Sequence, residues 1–211
     1  MARYRSFLFT NVSLSAQKLT LEERESNHLV RVLRARMGDT VEVLDGRGNC
    51  FLGYIDQADS KAVRVAIESL ERSPKQSPKI TLVQSIPKGK RMDLILRIAT
   101  EIGAARVQPI FTAQGDVHIK EERLLPKMEK WKLTMIEACK QCGLRFLPDL
   151  ANPVTVEEFL INLSGAKNSL RIVASLEPST IPLREVLLND RSMDEVIVAV
   201  GPEGCLLYTS D

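Results

Sequence analysis

The stretch Ser73-Pro74-Lys75-Gln76-Ser77-Pro78 is polar, holds two prolines, and separates two different rhythms of apolar residues. A chain whose hydrophobic period changes across such a break is not one repeating architecture. The pattern predicts a domain over residues 1–72, a linker over 73–78 and a second domain over 79–211. A length of 211 residues accommodates that division.

Before the linker the pattern is mostly β. Tyr4–Phe9 reads as a strand. Leu19–Leu33 reads as a helix with Thr20 as N-cap and Glu23 three residues on, a capping-box pattern. On that helix Leu29, Val32 and Leu33 are expected inward, and His28, Arg31 and Arg34, spaced by three, on a neighbouring face. Asp45-Gly46-Arg47-Gly48 is a hairpin signal between Val41–Leu44 and Cys50–Ile55, and Ala62–Leu70 alternates like a further strand. Short strands with tight turns predict a small barrel.

After the linker, strands alternate with helices. Ile80–Ile86, Arg106–Phe111, Leu170–Leu176 and Val196–Val200 read as apolar strands. Lys88–Gly103, Glu121–Cys142 and Thr155–Leu163 read as helices. The inward stripes are Met92, Ile95, Leu96, Ala99 and Ile102 on one long helix, and Leu124, Met128, Trp131, Met135, Ala138 and Cys142 on the other. Near-continuous apolar strands alternating with helices predict a parallel sheet covered on both faces. The fold class is therefore α/β with an N-terminal β-barrel.

No apolar run approaches the ~20 residues of a membrane span. The N-terminal Met1-Ala2-Arg3-Tyr4-Arg5 opens no signal-peptide stretch, so a cytoplasmic protein without a membrane partner is expected. Cys139 and Cys142 form a C-x-x-C, but the only histidines, His28 and His118, lie far away at unsuitable spacing; no metal site is read, and both thiols are expected on a mostly buried helix. A net charge of +2 makes the placement of charge more informative than its sum. Arg3, Arg5, His28, Arg31, Arg34, Arg36 and Arg47 crowd the first fifty residues, and Lys88, Lys90 and Arg91 form a second cluster. Such patches suit a phosphate backbone, and equally a solvated surface.

In open α/β sheets ligands bind beyond the carboxyl ends of the strands. Three such ends stand out: Pro87-Lys88-Gly89-Lys90-Arg91, Glu177-Pro178, and Gly201-Pro202-Glu203-Gly204. Glycines there allow close backbone approach to a ligand. The dinucleotide fingerprint, the P-loop and the nucleophile elbow are all missing, which argues against those classes.

His28-Leu29-Val30-Arg31-Val32-Leu33-Arg34, Lys88-Gly89-Lys90-Arg91-Met92-Asp93, Ala99-Thr100-Glu101-Ile102-Gly103, Gln141-Cys142-Gly143 and Gly201-Pro202-Glu203-Gly204 follow one another in the order of the RsmE family. The chain resembles these bacterial small-subunit ribosomal RNA uridine-N3 methyltransferases over nearly its whole length. The resemblance implies a PUA-like barrel followed by a trefoil-knotted SPOUT methyltransferase domain. It also implies S-adenosylmethionine as methyl donor, 16S ribosomal RNA of the small subunit as partner, and a homodimer with the active site at the subunit interface. Carried over residue by residue, Leu176, Glu177, Gly201, Pro202, Glu203 and Gly204 match cofactor positions. His28, Arg31, Arg34, Lys88, Lys90 and Arg91 match RNA-facing positions. Arg5 and Gln141 match positions at the active site, and Glu137 is the candidate general base. The imide nitrogen of uridine becomes nucleophilic on losing its proton, and cations or donors set against O2 and O4 stabilise that anion.

The chain departs from the family at three places. Thr112-Ala113-Gln114 stands where Ser/Thr-Glu-Arg is usual, and Lys140-Gln141-Cys142-Gly143-Leu144 where Glu-Gln-Cys-Gly-Arg is usual, with Arg145 one place late. After Gly204 the sequence Cys205 to Asp211 lacks the family's further helix, strand and Gly-x-Arg-x-Leu-Arg loop. The expectation is a C-terminally truncated domain with an incomplete knot, a tail unrelated to the family, and no measurable S-adenosylmethionine binding by the chain as written.

Overall fold

The computed structural model describes residues 4–112, 121–163, 168–174, 180–189 and 193–201. The chain divides into two compact units: Met1–Lys75 together with Ile136–Leu147, and Gln76–Met135 together with Pro148–Asp211.

The first unit contains β1 (Tyr4–Phe7), β2 (Lys18–Thr20), α1 (Glu23–Asn27), a π-helical turn (His28–Val32), β3 (Thr40–Leu44), β4 (Asn49–Gln57) and β5 (Arg64–Arg72). Its five-stranded sheet has the order β1-β3-β4-β5-β2, with β1 parallel to β3 and the other pairs antiparallel. The β3–β4 hairpin turns where the Asp-Gly signal placed it. Asp45 Oδ1 accepts the N–H groups of Arg47 and Asn49, and its Oδ2 accepts the Asn49 amide, so the turn is held by one side chain. Leu8, Leu19, Leu21, Leu29, Val41, Val43, Phe51, Ile55, Val63 and Val65 form the core. Each such side chain contributes about 1.5–3 kcal/mol by leaving water.

The expected single helix over Leu19–Leu33 is three elements instead. Leu19 pairs with Val65 in β2, so Thr20 is strand rather than N-cap, and Glu22 occupies the cap position without a side-chain cap bond. Lys18-Leu19-Thr20-Leu21 alternates exposed and buried as a strand does, and burying Leu19 and Leu21 wins over the capping box. Farther on, Leu33 N–H donates to His28 O at 3.0 Å, a π-type bond. That wider winding removes the three-residue stripe. Leu29 is buried, but Val32 is 62% exposed and Leu33 also faces water.

The second unit contains β6 (Lys79–Ser85), α2 (Arg91–Glu101), β7 (Arg106–Phe111), α3 (Glu121–Cys142) as far as Met135, β8 (Asp149–Leu150), β9 (Val154–Thr155), α4 (Val156–Leu163), β10 (Ser169–Val173), α5 (Leu183–Asn189) and β11 (Glu195–Val200). Its sheet runs β10-β11-β6-β7-β8, with β9 also on β7, and every pair is parallel. Val83, Ile110 and Ile197 lie under Val154, Val156, Phe159 and Leu163. α2 buries Met92, Leu96 and Ala99 as its stripe predicts, whereas Ile102, beyond the last turn, is exposed. The last turn of α3 belongs to the first unit. There Ala138 and Cys139 are buried, and Cys142, expected inward, is exposed.

Candidate active site

In the first unit the end of α3 is clasped by β1 and α1. Arg5, on β1 opposite Glu42, ion-pairs with Glu42 through Nε at 2.6 Å. Its Nη1 donates to the carbonyls of Lys140 at 3.1 Å and Gln141 at 3.0 Å. These are carbonyls that a helix terminus leaves without intrahelical partners, and a guanidinium is the side chain suited to take two at once. Gly143 follows at φ +75°, and a Cβ there would sit 3.1 Å from Arg5 Cζ. The Gly143 and Leu144 N–H groups both return to Cys139 O.

Lys140 is buried and ion-paired to the buried Glu25 at 3.0 Å and to Glu137 at 2.8 Å. Glu137, the candidate base, is half-exposed and also lies 3.7 Å from Arg24. It is a carboxylate already holding two cations. The Gln141 side chain is exposed, and its amide makes no hydrogen bond among the described residues. Arg145 ion-pairs with Glu71. So the structure brings Arg5, Glu137 and Gln141 together around one helix end. Glu25 was not among the expected site residues, and Lys140 stood out only as a departure from the family pattern. The available signal was Glu25 itself, four residues before the buried Leu29 and therefore on an inward face, where a carboxylate requires a cation.

The basic segment of the first unit is exposed at Arg31 and Arg34, with His28 half-buried and none of the three in an ion pair among the described residues. Arg34 holds the left-handed φ of +57°.

In the second unit, the register Val200↔Gln84 sets Gly201 beside the carboxyl end of β6, from which Pro87 to Arg91 continue. Lys88, Lys90 and Arg91 are exposed and lead into α2. At the same end the Ser85 and Thr112 hydroxyls lie 3.1 Å apart. Gly201 and the start of the basic turn thus lie at one end of the sheet, the end at which α/β sheets take ligands. Leu176, Glu177, Pro202, Glu203, Gly204 and the tail 205–211 lie outside the described residues, as does Ala113-Gln114. Among the described residues no cluster of three or more metal-ligating side chains occurs, and no helix is long and apolar enough to cross a membrane.

Residues 74–208 match the family of RNA methyltransferase domains, and residues 21–68 that of RNA methyltransferase PUA domains. The ribosomal RNA small subunit methyltransferase E of Aquifex aeolicus is 31% identical over 88% of this chain and 76% of its own length. The chain belongs to this methyltransferase E family. A Synechocystis member is 27% identical over 88% of the chain, which spans 59% of that relative's length. The Neisseria gonorrhoeae member, whose crystal structure holds S-adenosyl methionine, superposes with a TM-score of 0.81 at 25% identity, covering 95% of this chain and 80% of its own. The family's mixed fold, an N-terminal curled PUA-like sheet and a C-terminal parallel sheet, is the one described above.

Proposed function

We propose that the protein to which this chain belongs methylates N3 of a uridine in 16S ribosomal RNA, using S-adenosylmethionine, as a cytoplasmic homodimer. The observation that carries this reading is the one end of the sheet at which Gly201 and the start of the basic turn lie. A residue without Cβ at a strand's carboxyl end suits a zwitterionic, adenosine-bearing donor that needs backbone contacts. Leu176, Glu177, Gly201, Pro202, Glu203 and Gly204 would hold that donor, which supplies an electrophilic methyl group.

The chain's own residues supply position and electrostatics. Lys88, Lys90 and Arg91 hold RNA phosphates at that end, while His28, Arg31 and Arg34 do so on the first unit. The amide of Gln141 donates to a uracil oxygen as N3 loses its proton and negative charge spreads to O2 and O4. Arg5 fixes the helix end that carries Gln141. Glu137 accepts the N3 proton from the half-exposed side of the same turn.

Mass mapping of 16S ribosomal RNA nucleosides in a strain lacking the gene tests the assignment. Loss of 3-methyluridine, restored by the wild-type gene, is expected. An unchanged 3-methyluridine content contradicts it.

A further inference from the structure

Glu25 and Lys140 form an ion pair with only 2% and 7% of their side chains exposed. Apolar residues of similar volume commonly stabilise a fold as well as a buried charge pair does. What this pair adds is geometry. Glu25 Oε2 accepts the Ser6 hydroxyl at 2.7 Å and the Phe7 N–H at 3.0 Å, which ties α1 to β1. Lys140 Nζ donates to both Glu25 oxygens, at 3.0 and 3.3 Å, which ties the last turn of α3 to α1. The carbonyl of the same lysine is taken by Arg5. Lys140 is therefore gripped at side chain and backbone, from two elements, immediately before Gln141. Gln141 is held by Arg5 through its carbonyl, and among the described residues its exposed side-chain amide makes no hydrogen bond.

We propose that Glu25 and Lys140 are positioning residues: their buried pair, with Arg5, locks the α3 terminus so that the Gln141 amide is presented to the target base. The proposal rests on the role given to Gln141 above. The pair fixes the turn's position without touching RNA, so its loss lowers turnover and leaves donor affinity alone.

The test compares the full-length protein with E25Q/K140M. The glutamine amide oxygen still accepts the Phe7 N–H, and the methionine side chain fills the space of the lysine stem, so neither change leaves a bare buried charge. Hydrogen exchange of the Gly143 and Leu144 amides is expected to quicken about tenfold while the core strands keep their protection. Arg5→Lys keeps the charge but loses the two-pronged donor, and quickens the same amides. Unchanged protection in both variants overturns the anchoring, whatever the enzyme's activity. In methyl transfer, E25Q/K140M is expected to lose about tenfold in kcat at unchanged KM for S-adenosylmethionine, and adding Gln141→Ala costs little more. Full additivity of Gln141→Ala with E25Q/K140M overturns the positioning role. If the unaltered protein transfers no methyl group, the proposed function fails, and the exchange measurement still decides whether the pair anchors the turn.

Discussion

Replacing Gly143 by alanine measures how firmly Arg5 is held against the end of α3. Gly143 has φ +75°, and its Cβ would lie 3.1 Å from Arg5 Cζ, 3.3 Å from Nη2 and 3.4 Å from Nη1. Gly38 is the control. It has φ +87° but nothing within 4 Å of a Cβ. Both substitutions carry the left-handed backbone cost of an L residue, about 1 kcal/mol. Only Gly143→Ala also pushes the guanidinium, which cannot yield freely: Nε is on Glu42 at 2.6 Å and Nη1 on two carbonyls at 3.0 and 3.1 Å. Weakening one charge-assisted hydrogen bond costs about 1.5–3 kcal/mol. The expected losses are therefore about 1 kcal/mol for Gly38→Ala and about 2.5–4 kcal/mol for Gly143→Ala. Urea unfolding followed by far-ultraviolet circular dichroism, at matched m values, reads both. In an Arg5→Met background the gap between the two should close. Equal losses in the wild-type background, or a gap that persists without Arg5, would refute the reasoning.

Arg34 sits at φ +57°, so Arg34→Gly should stabilise the chain by about 0.5–1 kcal/mol. The same change should weaken RNA binding and lower its logarithmic salt slope by about one unit; unfolding curves and a salt titration of RNA affinity check the two effects. Burial, and then Glu42, push the Cys50 thiol up to about 11; burial, and then Cys142, push Cys139 up to about 12. Maleimide labelling with peptide mapping should therefore modify the exposed Cys142 in the native protein and reach Cys50 and Cys139 only on unfolding. Because both native pKa values are raised, the two thiols leave stability unaffected below the ordinary thiol value. As pH climbs past about 9 the unfolded chain sheds protons that the native state keeps, so stability falls toward pH 11 to 12; Cys50→Ala and Cys139→Ala should flatten that fall.

Much of the fold was legible where local chemistry and tertiary need agreed. The bounds of β7 and α3 follow directly from apolar runs and helical spacing, and Asp45-Gly46 marks the β3–β4 turn. The misreadings lie where a distant partner overrides a local signal. Thr20 and Glu23 make a credible cap, yet Leu19 finds Val65 across the sheet. A π turn spoils a three-residue stripe that nothing in His28–Arg34 announces. The same division holds around the end of α3. Gln141 and Arg5 were expected together from the family resemblance, and the structure brings them into contact at one helix end. The Glu25–Lys140 pair joins residues 115 apart in sequence, and no local periodicity encodes such a contact. Short elements such as β8, β9 and α5 carry too few residues for a period to show.

The most direct test of the methyl-transfer assignment uses the purified full-length protein, S-adenosylmethionine carrying a labelled methyl group, and small ribosomal subunits from a strain lacking the gene. After digestion of the 16S ribosomal RNA, the label is predicted in 3-methyluridine, with its rate of appearance reduced by Gln141→Ala. Label in any other nucleoside, or none at all under conditions where the protein binds the donor, would contradict the account.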